Sequence, residues 1–151
     1  MENLSEKPQS IELKVFIDDR GEFISILDEI QNLNPRIGQI KRIYYIVNPS
    51  RGIIRGLHYH QKEWKFFVIV KGSAKFVILN PDNPSEIYTF VSSERKANLI
   101  VVPPKYAHGW ISLKDDAILV CASNVTTQES LADDKRFDPY QFGDVWTVKG
   151  R

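Results

Sequence analysis

Lys65-Phe66-Phe67-Val68-Ile69-Val70-Lys71-Gly72-Ser73-Ala74-Lys75-Phe76-Val77-Ile78-Leu79 is the stretch whose reading decides the fold class. It holds two runs of β-branched and aromatic residues, Lys65–Val70 and Ser73–Leu79. Such residues fit a pleated, buried surface, and Lys71-Gly72 between them is a compact hairpin signal. Outward from this pair the same grammar repeats. Ile11–Ile17 reads as a strand that stops at Asp18-Asp19-Arg20-Gly21, and Phe23–Leu27 reads as another. The polar stretch Asp28–Gly38 has room for a helical turn. Ile43–Val47 is a strand ended by Asn48-Pro49-Ser50. After the central pair, Asn80-Pro81-Asp82-Asn83-Pro84-Ser85 reads as a loop. Ile87–Val91, Asn98–Val102 and Ala117–Ala122 are further strands, and Thr126–Asp134 is a helical turn or a loop. Strands spaced about 8–12 residues apart with turn residues between them predict an all-β sandwich or barrel. No run of ten or more residues carries a helical period.

The chain has 151 residues. That length buries roughly 70% of the unfolded surface, enough for one core. Without repeats, low-complexity tracts or an internal linker, one domain over residues 1–151 is expected. Twenty Lys and Arg against 19 Asp and Glu leave a net charge of +1, so no broad field favours nucleic acid or an acidic membrane. The longest apolar runs, Phe66–Val70 and Leu99–Pro104, are too short to span a bilayer. Met1 to Ser10 is polar and does not read as a signal peptide. One cysteine, Cys121, rules out an internal disulfide, and a cytoplasmic protein is expected.

The three histidines fall into two short, turn-bounded motifs. His58 and His60 lie two apart in Arg55-Gly56-Leu57-His58-Tyr59-His60, and residues two apart on a strand share a face. If that face is a barrel interior, both imidazoles enter one cavity. His108 follows the rigid Pro103-Pro104-Lys105 turn.

Gly52, His58, His60 and Gly72 together resemble the first cupin motif, and Pro103 with His108 resembles the second. Metal-binding cupins carry a glutamate seven residues before the final glycine; here that place is Lys65, whose ammonium offers a cation no lone pair. Lysine there is similar to the metal-free dTDP-4-dehydrorhamnose 3,5-epimerase family. Four further elements resemble that family in order: Asp18–Phe23, Asn48-Pro49-Ser50 with Arg55–Tyr59, Ala107-His108-Gly109-Trp110 as an "AHGF" turn, and Phe137-Asp138-Pro139 with Gly143 and Trp146. The double histidine also resembles the related sugar-nucleotide 3,4-ketoisomerases.

The resemblance implies a cupin jelly-roll barrel with short helical turns, needing neither metal nor other cofactor. It implies an enzyme that removes a proton next to the ketone of a nucleotide-linked 4-keto-6-deoxyhexose, in deoxysugar or surface-polysaccharide biosynthesis. It makes His58 the base and sets Lys65 beside the enolate oxygen. Arg20 and Arg55 then hold the nucleotide diphosphate and substrate, and His60, His108 and Asn48 line the substrate site. Cys121 stands at the place of the family's acid, a tyrosine, and is the candidate proton donor there, and Ile46 takes the place of a glutamine before the Asn-x-Ser element. The aspartate that pairs with the family's base lies beyond the last tryptophan, where this sequence has none. A homodimer formed by strand exchange is implied as well. Two other readings stay open: a metal-dependent cupin using His58, His60 and His108, and a non-catalytic nucleotide-sugar-binding cupin.

Overall fold

The computed structural model describes residues 6–28, 30 and 34–151. Twelve strands occur among them: β1 (Gln9–Glu12), β2 (Val15–Asp18), β3 (Gly21–Ile24), β4 (Arg42–Asn48), β5 (Ile54–Tyr59), β6 (Lys65–Lys71), β7 (Ser73–Asn80), β8 (Asn83–Ser93), β9 (Asn98–Val102), β10 (Ala107–Ser112), β11 (Ala117–Ser123) and β12 (Lys135–Arg136). Helical structure among the described residues includes one α-helix, α1 (Thr127–Ala132), and a 3-10 turn at Pro35–Ile37. The strands form two five-stranded antiparallel sheets, β1-β9-β6-β11-β4 and β12-β5-β10-β7-β8, while β2 and β3 pair only with each other. The all-β jelly roll with short helical turns is therefore what the chain adopts.

Packing explains why the central runs are continuously apolar rather than alternating. Phe67 and Ile69 of β6 meet Phe76 and Ile78 of β7, with Ile100, Trp110 and Leu119, in the core between the sheets. The opposite face of β6, Phe66 and Val68, is covered by Leu13, Ile37 and Trp64. The opposite face of β7, Val77 and Leu79, lies under Trp146 of the C-terminal segment. Both strands are buried on both faces, so neither shows a period of two.

Four expectations need correction. The Lys65–Leu79 stretch is not a hairpin: β6 pairs with β9 and β11, and β7 with β8 and β10. Both edges of each strand are already occupied. Lys71-Gly72 is instead the corner at which the chain crosses between sheets. Gly72 takes φ +80 there, and a Cβ would lie 3.1 Å from Ala117 Cα. The true tight hairpin joins β7 to β8, with Asn80 opposite Asn83 around Pro81-Asp82, inside the segment expected to be a long loop. Ile11–Ile17 is two strands, because Leu13 turns into the core and donates its backbone N–H to Ala97 O at 2.9 Å. Ala107–Trp110 lies on β10 rather than in a turn.

Candidate active site

β4, β6 and β11 form one wall of a cavity of about 380 Å³, and β5 and β10 form the other; α1 and β12 close its rim. Facing rows of side chains build it. Across one sheet Arg42, Ser123 and Lys65 stand in register, and beside them Tyr44, Cys121 and Phe67. Across the other, His58 stands opposite His108. Residues in register on adjacent strands share a face, so the imidazoles of one sheet look towards Lys65 and Phe67 of the other.

Arg55 and His58 are three apart and would face opposite sides of a regular strand, yet both line the cavity. The register between β5 and β10 shifts between His108 and Trp110. Such a bulge re-aims the side chains beyond it. Glycines permit it: a Cβ on Gly56 would lie 2.7 Å from Gly109 Cα, and one on Gly109 would lie 2.5 Å from Arg55 O. Gly56 also takes φ +139. The glycines of the two histidine motifs are thus the contact that lets an arginine and a histidine enter one site.

The structure brings His58, His60, Lys65, His108 and Arg55 to this cavity. Asn48 is buried behind Arg55: its Oδ1 accepts from Arg55 Nε at 2.7 Å, and its Nδ2 donates to Ile53 O at 3.2 Å. Asn48 therefore orients the guanidinium. Cys121 is 0% exposed and stands in the core row between Tyr44 and Phe67 rather than on the cavity surface. Arg20 is elsewhere. It sits at the tip of the β2–β3 hairpin, 86% exposed and paired with Asp18.

Sequence reasoning missed the carboxylates. Asp134 Oδ1 lies 3.2 Å from His58 Nδ1, and its Oδ2 accepts from Arg136 Nε at 2.8 Å. The carboxylate selects the Nδ1–H tautomer of His58 and leaves Nε2 as the lone-pair nitrogen. Glu63, its side chain 1% exposed, accepts from Arg42, Ser123 and Ser130, each at 2.7 Å. His60 Nε2 lies 3.3 Å from Glu63 and 3.4 Å from Asp134. Its Nδ1 is buried without a hydrogen-bond partner. The helix start is fixed by Thr126, whose hydroxyl accepts from Glu129 N at 3.2 Å. That start carries Ser130 and Asp134 over the cavity. Glu63 was legible as the residue two before Lys65; Asp134, 76 residues from His58, has no local signal.

The electrostatics keep the imidazoles neutral. Burial lowers His58 below its ordinary value, the Asp134 hydrogen bond opposes this, and Lys65 adds to it. Burial and then Lys65 depress His60 to about 4 and His108 well below its ordinary value. Burial also lowers Lys65, with Glu63 pulling the other way. Burial alone would raise Glu63, but Lys65 and the two serine hydroxyls outweigh it and hold the carboxyl low. Asp134 is held low against its burial by Arg136 and His58. Burial pushes the Cys121 thiol up to about 11. The arrangement has a neutral base aimed into the cavity, a carboxylate behind it, and a buried ammonium near all three imidazoles. It suits proton abstraction with charge developing beside Lys65. Among the described residues no group of three or more His, Cys, Asp or Glu is placed to hold a metal ion, and none of their helices is long and apolar enough to cross a membrane.

Two packed sheets with histidines and a lysine converging between them define a protein of the cupin type, and known folds agree. The structure of ChmJ, a 3'-monoepimerase from Streptomyces bikiniensis in complex with dTDP-quinovose, is similar with a TM-score of 0.78 at 20% identity. The match covers 92% of this chain and 74% of that one. Residues 6–138 match dTDP-4-dehydrorhamnose 3,5-epimerase, and the chain belongs to that family of sugar-nucleotide epimerases. Among curated relatives, the spore coat polysaccharide biosynthesis protein SpsL of Bacillus subtilis is 25% identical over 89% of this chain and 91% of its own length. A UDP-2-acetamido-2,6-beta-L-arabino-hexul-4-ose reductase of Pseudomonas aeruginosa is 26% identical over 78% of this chain, which spans only 29% of that protein.

Proposed function

We propose that this chain is a metal-independent epimerase or isomerase of a nucleotide-linked 4-keto-6-deoxyhexose, working in deoxysugar or surface-polysaccharide biosynthesis. The observation that carries the reading is His58, backed by Asp134 and facing the buried Lys65 across one cavity. His58 Nε2 takes the proton from the carbon next to the ketone. The electron pair moves into the enolate, whose oxygen gains negative charge beside the Lys65 ammonium. Asp134 holds the resulting imidazolium. Arg55, steadied by Asn48, offers a guanidinium for diphosphate oxygens. The dTDP-quinovose held by ChmJ and the UDP-linked hexulose for which the Pseudomonas reductase is named support the substrate class.

The reading includes one cupin domain over residues 1–151, in the cytoplasm, acting as a homodimer. The β2–β3 hairpin belongs to neither large sheet and exposes Phe16, Ile17 and Phe23; β4 is a sheet edge that exposes Ile43, Tyr45 and Val47. Exposed apolar hairpins and open edges are what strand exchange with a second copy covers. Such an exchange would carry Arg20 towards the other copy's cavity. A panel of dTDP- and UDP-linked 4-keto sugars followed by proton NMR tests the function. Conversion of at least one supports it. Tight binding of several with no change in any would leave a binding protein.

A further inference from the structure

A base on one wall removes a proton; inversion needs a second group that delivers one from the other side. His58 stands on β5, so a donor for the opposite face of the sugar must come from β4, β6 or β11. On that wall the cavity is lined by Arg42, Tyr44, Ile46, Lys65 and Phe67. Of these, Ile46 and Phe67 have no proton to give. Arg42 is committed to the buried Glu63 at 2.7 Å. Lys65 is the charge that the enolate oxygen needs. Tyr44 remains. It lies in register with Cys121 on the neighbouring strand, whose thiol helps raise the phenol. The Arg42 guanidinium sits 4.8 Å from the centre of its ring.

We propose that the Tyr44 phenol is the proton donor for the face of the sugar opposite His58, and that it therefore decides whether abstraction ends in inversion. This rests on the reading of His58 as the base. In the step, the enolate's carbon–carbon electron pair forms a new C–H bond with the phenolic proton. The O–H bond breaks, its pair stays on the phenolate oxygen, and the ketone re-forms. The phenolate is left between the Arg42 cation and the Cys121 thiol. Between turnovers water returns a proton to Tyr44 and takes the one held by His58, so no other reactant is needed. Burial, then Cys121, hold the phenol above its ordinary value, so it enters the step protonated, and the Arg42 cation over its ring is the group that favours the phenolate it leaves. Cys121 thus has a place in the site without reaching the substrate: it positions the phenol.

The test follows dTDP- and UDP-linked 4-keto-6-deoxyglucose in deuterium oxide by proton NMR. It reads two rates, loss of the proton next to the ketone and appearance of inverted sugar. For Tyr44→Phe, exchange should stay within about threefold of wild type while inversion falls by about tenfold or more. Inversion at the wild-type rate would overturn the proposal and leave His58 untouched. Equal loss of exchange and inversion, with nucleotide affinity unchanged, would also overturn it, because Tyr44 would then serve abstraction. No exchange by the wild type on either substrate would sink the base assignment and this proposal with it. If Tyr44→Phe does not fold, 3,5-difluorotyrosine incorporated at position 44 keeps the hydroxyl but makes it a stronger acid. Inversion relative to exchange should then rise, because a stronger acid reprotonates the enolate faster, and a ratio of inversion to exchange equal to that of the wild type would refute the role.

Discussion

Asp134→Asn keeps the shape of the side chain and removes its charge, and its consequence can be worked from the geometry. The carboxylate oxygen lies 3.2 Å from His58 Nδ1 and favours the protonated ring. A hydrogen bond to a charged group contributes about 1.5–3 kcal/mol. The His58 side chain is 34% exposed, so solvent screening favours the lower end of that range. Losing the carboxylate therefore moves His58 further below its ordinary value. The base must be neutral, so activity rises with pH through this pKa, and the acid limb of the exchange profile should move to lower pH. A weaker base abstracts more slowly, so the plateau rate should fall by about tenfold or more. Stability should change little, because Arg136, the other partner, is 70% exposed, and His60 keeps Glu63. The assay is solvent-deuterium exchange next to the ketone between pH 5 and pH 9. An acid limb that stays in place or moves to higher pH would refute the dyad.

Lys65→Met should shift the same limb in the opposite direction, because the ammonium depresses all three imidazoles. It should also slow exchange by about a hundredfold through loss of the enolate's charge partner; an unchanged rate would remove Lys65 from the chemistry. Arg55→Ala should raise KM about tenfold with kcat within about threefold, as expected of contacts remote from the reacting carbon; a loss confined to kcat in steady-state kinetics would contradict that. Folding stability should decline in acid. His108 and His60 are held neutral in the folded state, so the unfolded chain binds more protons below pH about 6.5, at about 1.4 kcal/mol per unit of depression. Urea midpoints equal at pH 7 and pH 5 would show that these imidazoles are not held neutral by the fold.

The strands themselves were legible because β-branched and aromatic runs ended in turn residues. Their partners were not. Lys71-Gly72 carries the same local signal whether a chain reverses beside itself or crosses to the opposite sheet, and only the occupied edges of β6 and β7 decide. Conversely, the two prolines around Asp82 masked a tight hairpin as a loop. In the site, the period of two was enough to place His58 with His60; Arg42 and Tyr44, which the sequence reading did not single out, share a face of β4 with Ile46 by the same period. It could not place Arg55, which needs the bulge that Gly56 and Gly109 permit. Asp134 was invisible because its partner is fixed by β12 pairing with β5, a long-range register with no local pattern.

The central claim is that His58 removes a proton next to a sugar ketone. Exchange into deuterium oxide, read by one-dimensional proton NMR on a nucleotide-linked 4-keto-6-deoxyhexose, tests it without depending on the stereochemical outcome. The wild type should exchange that proton. His58→Asn, whose amide keeps a hydrogen-bonding side chain but cannot accept the proton, should slow exchange by about a hundredfold or more with nucleotide affinity intact. Undiminished exchange in the His58→Asn protein would contradict the account.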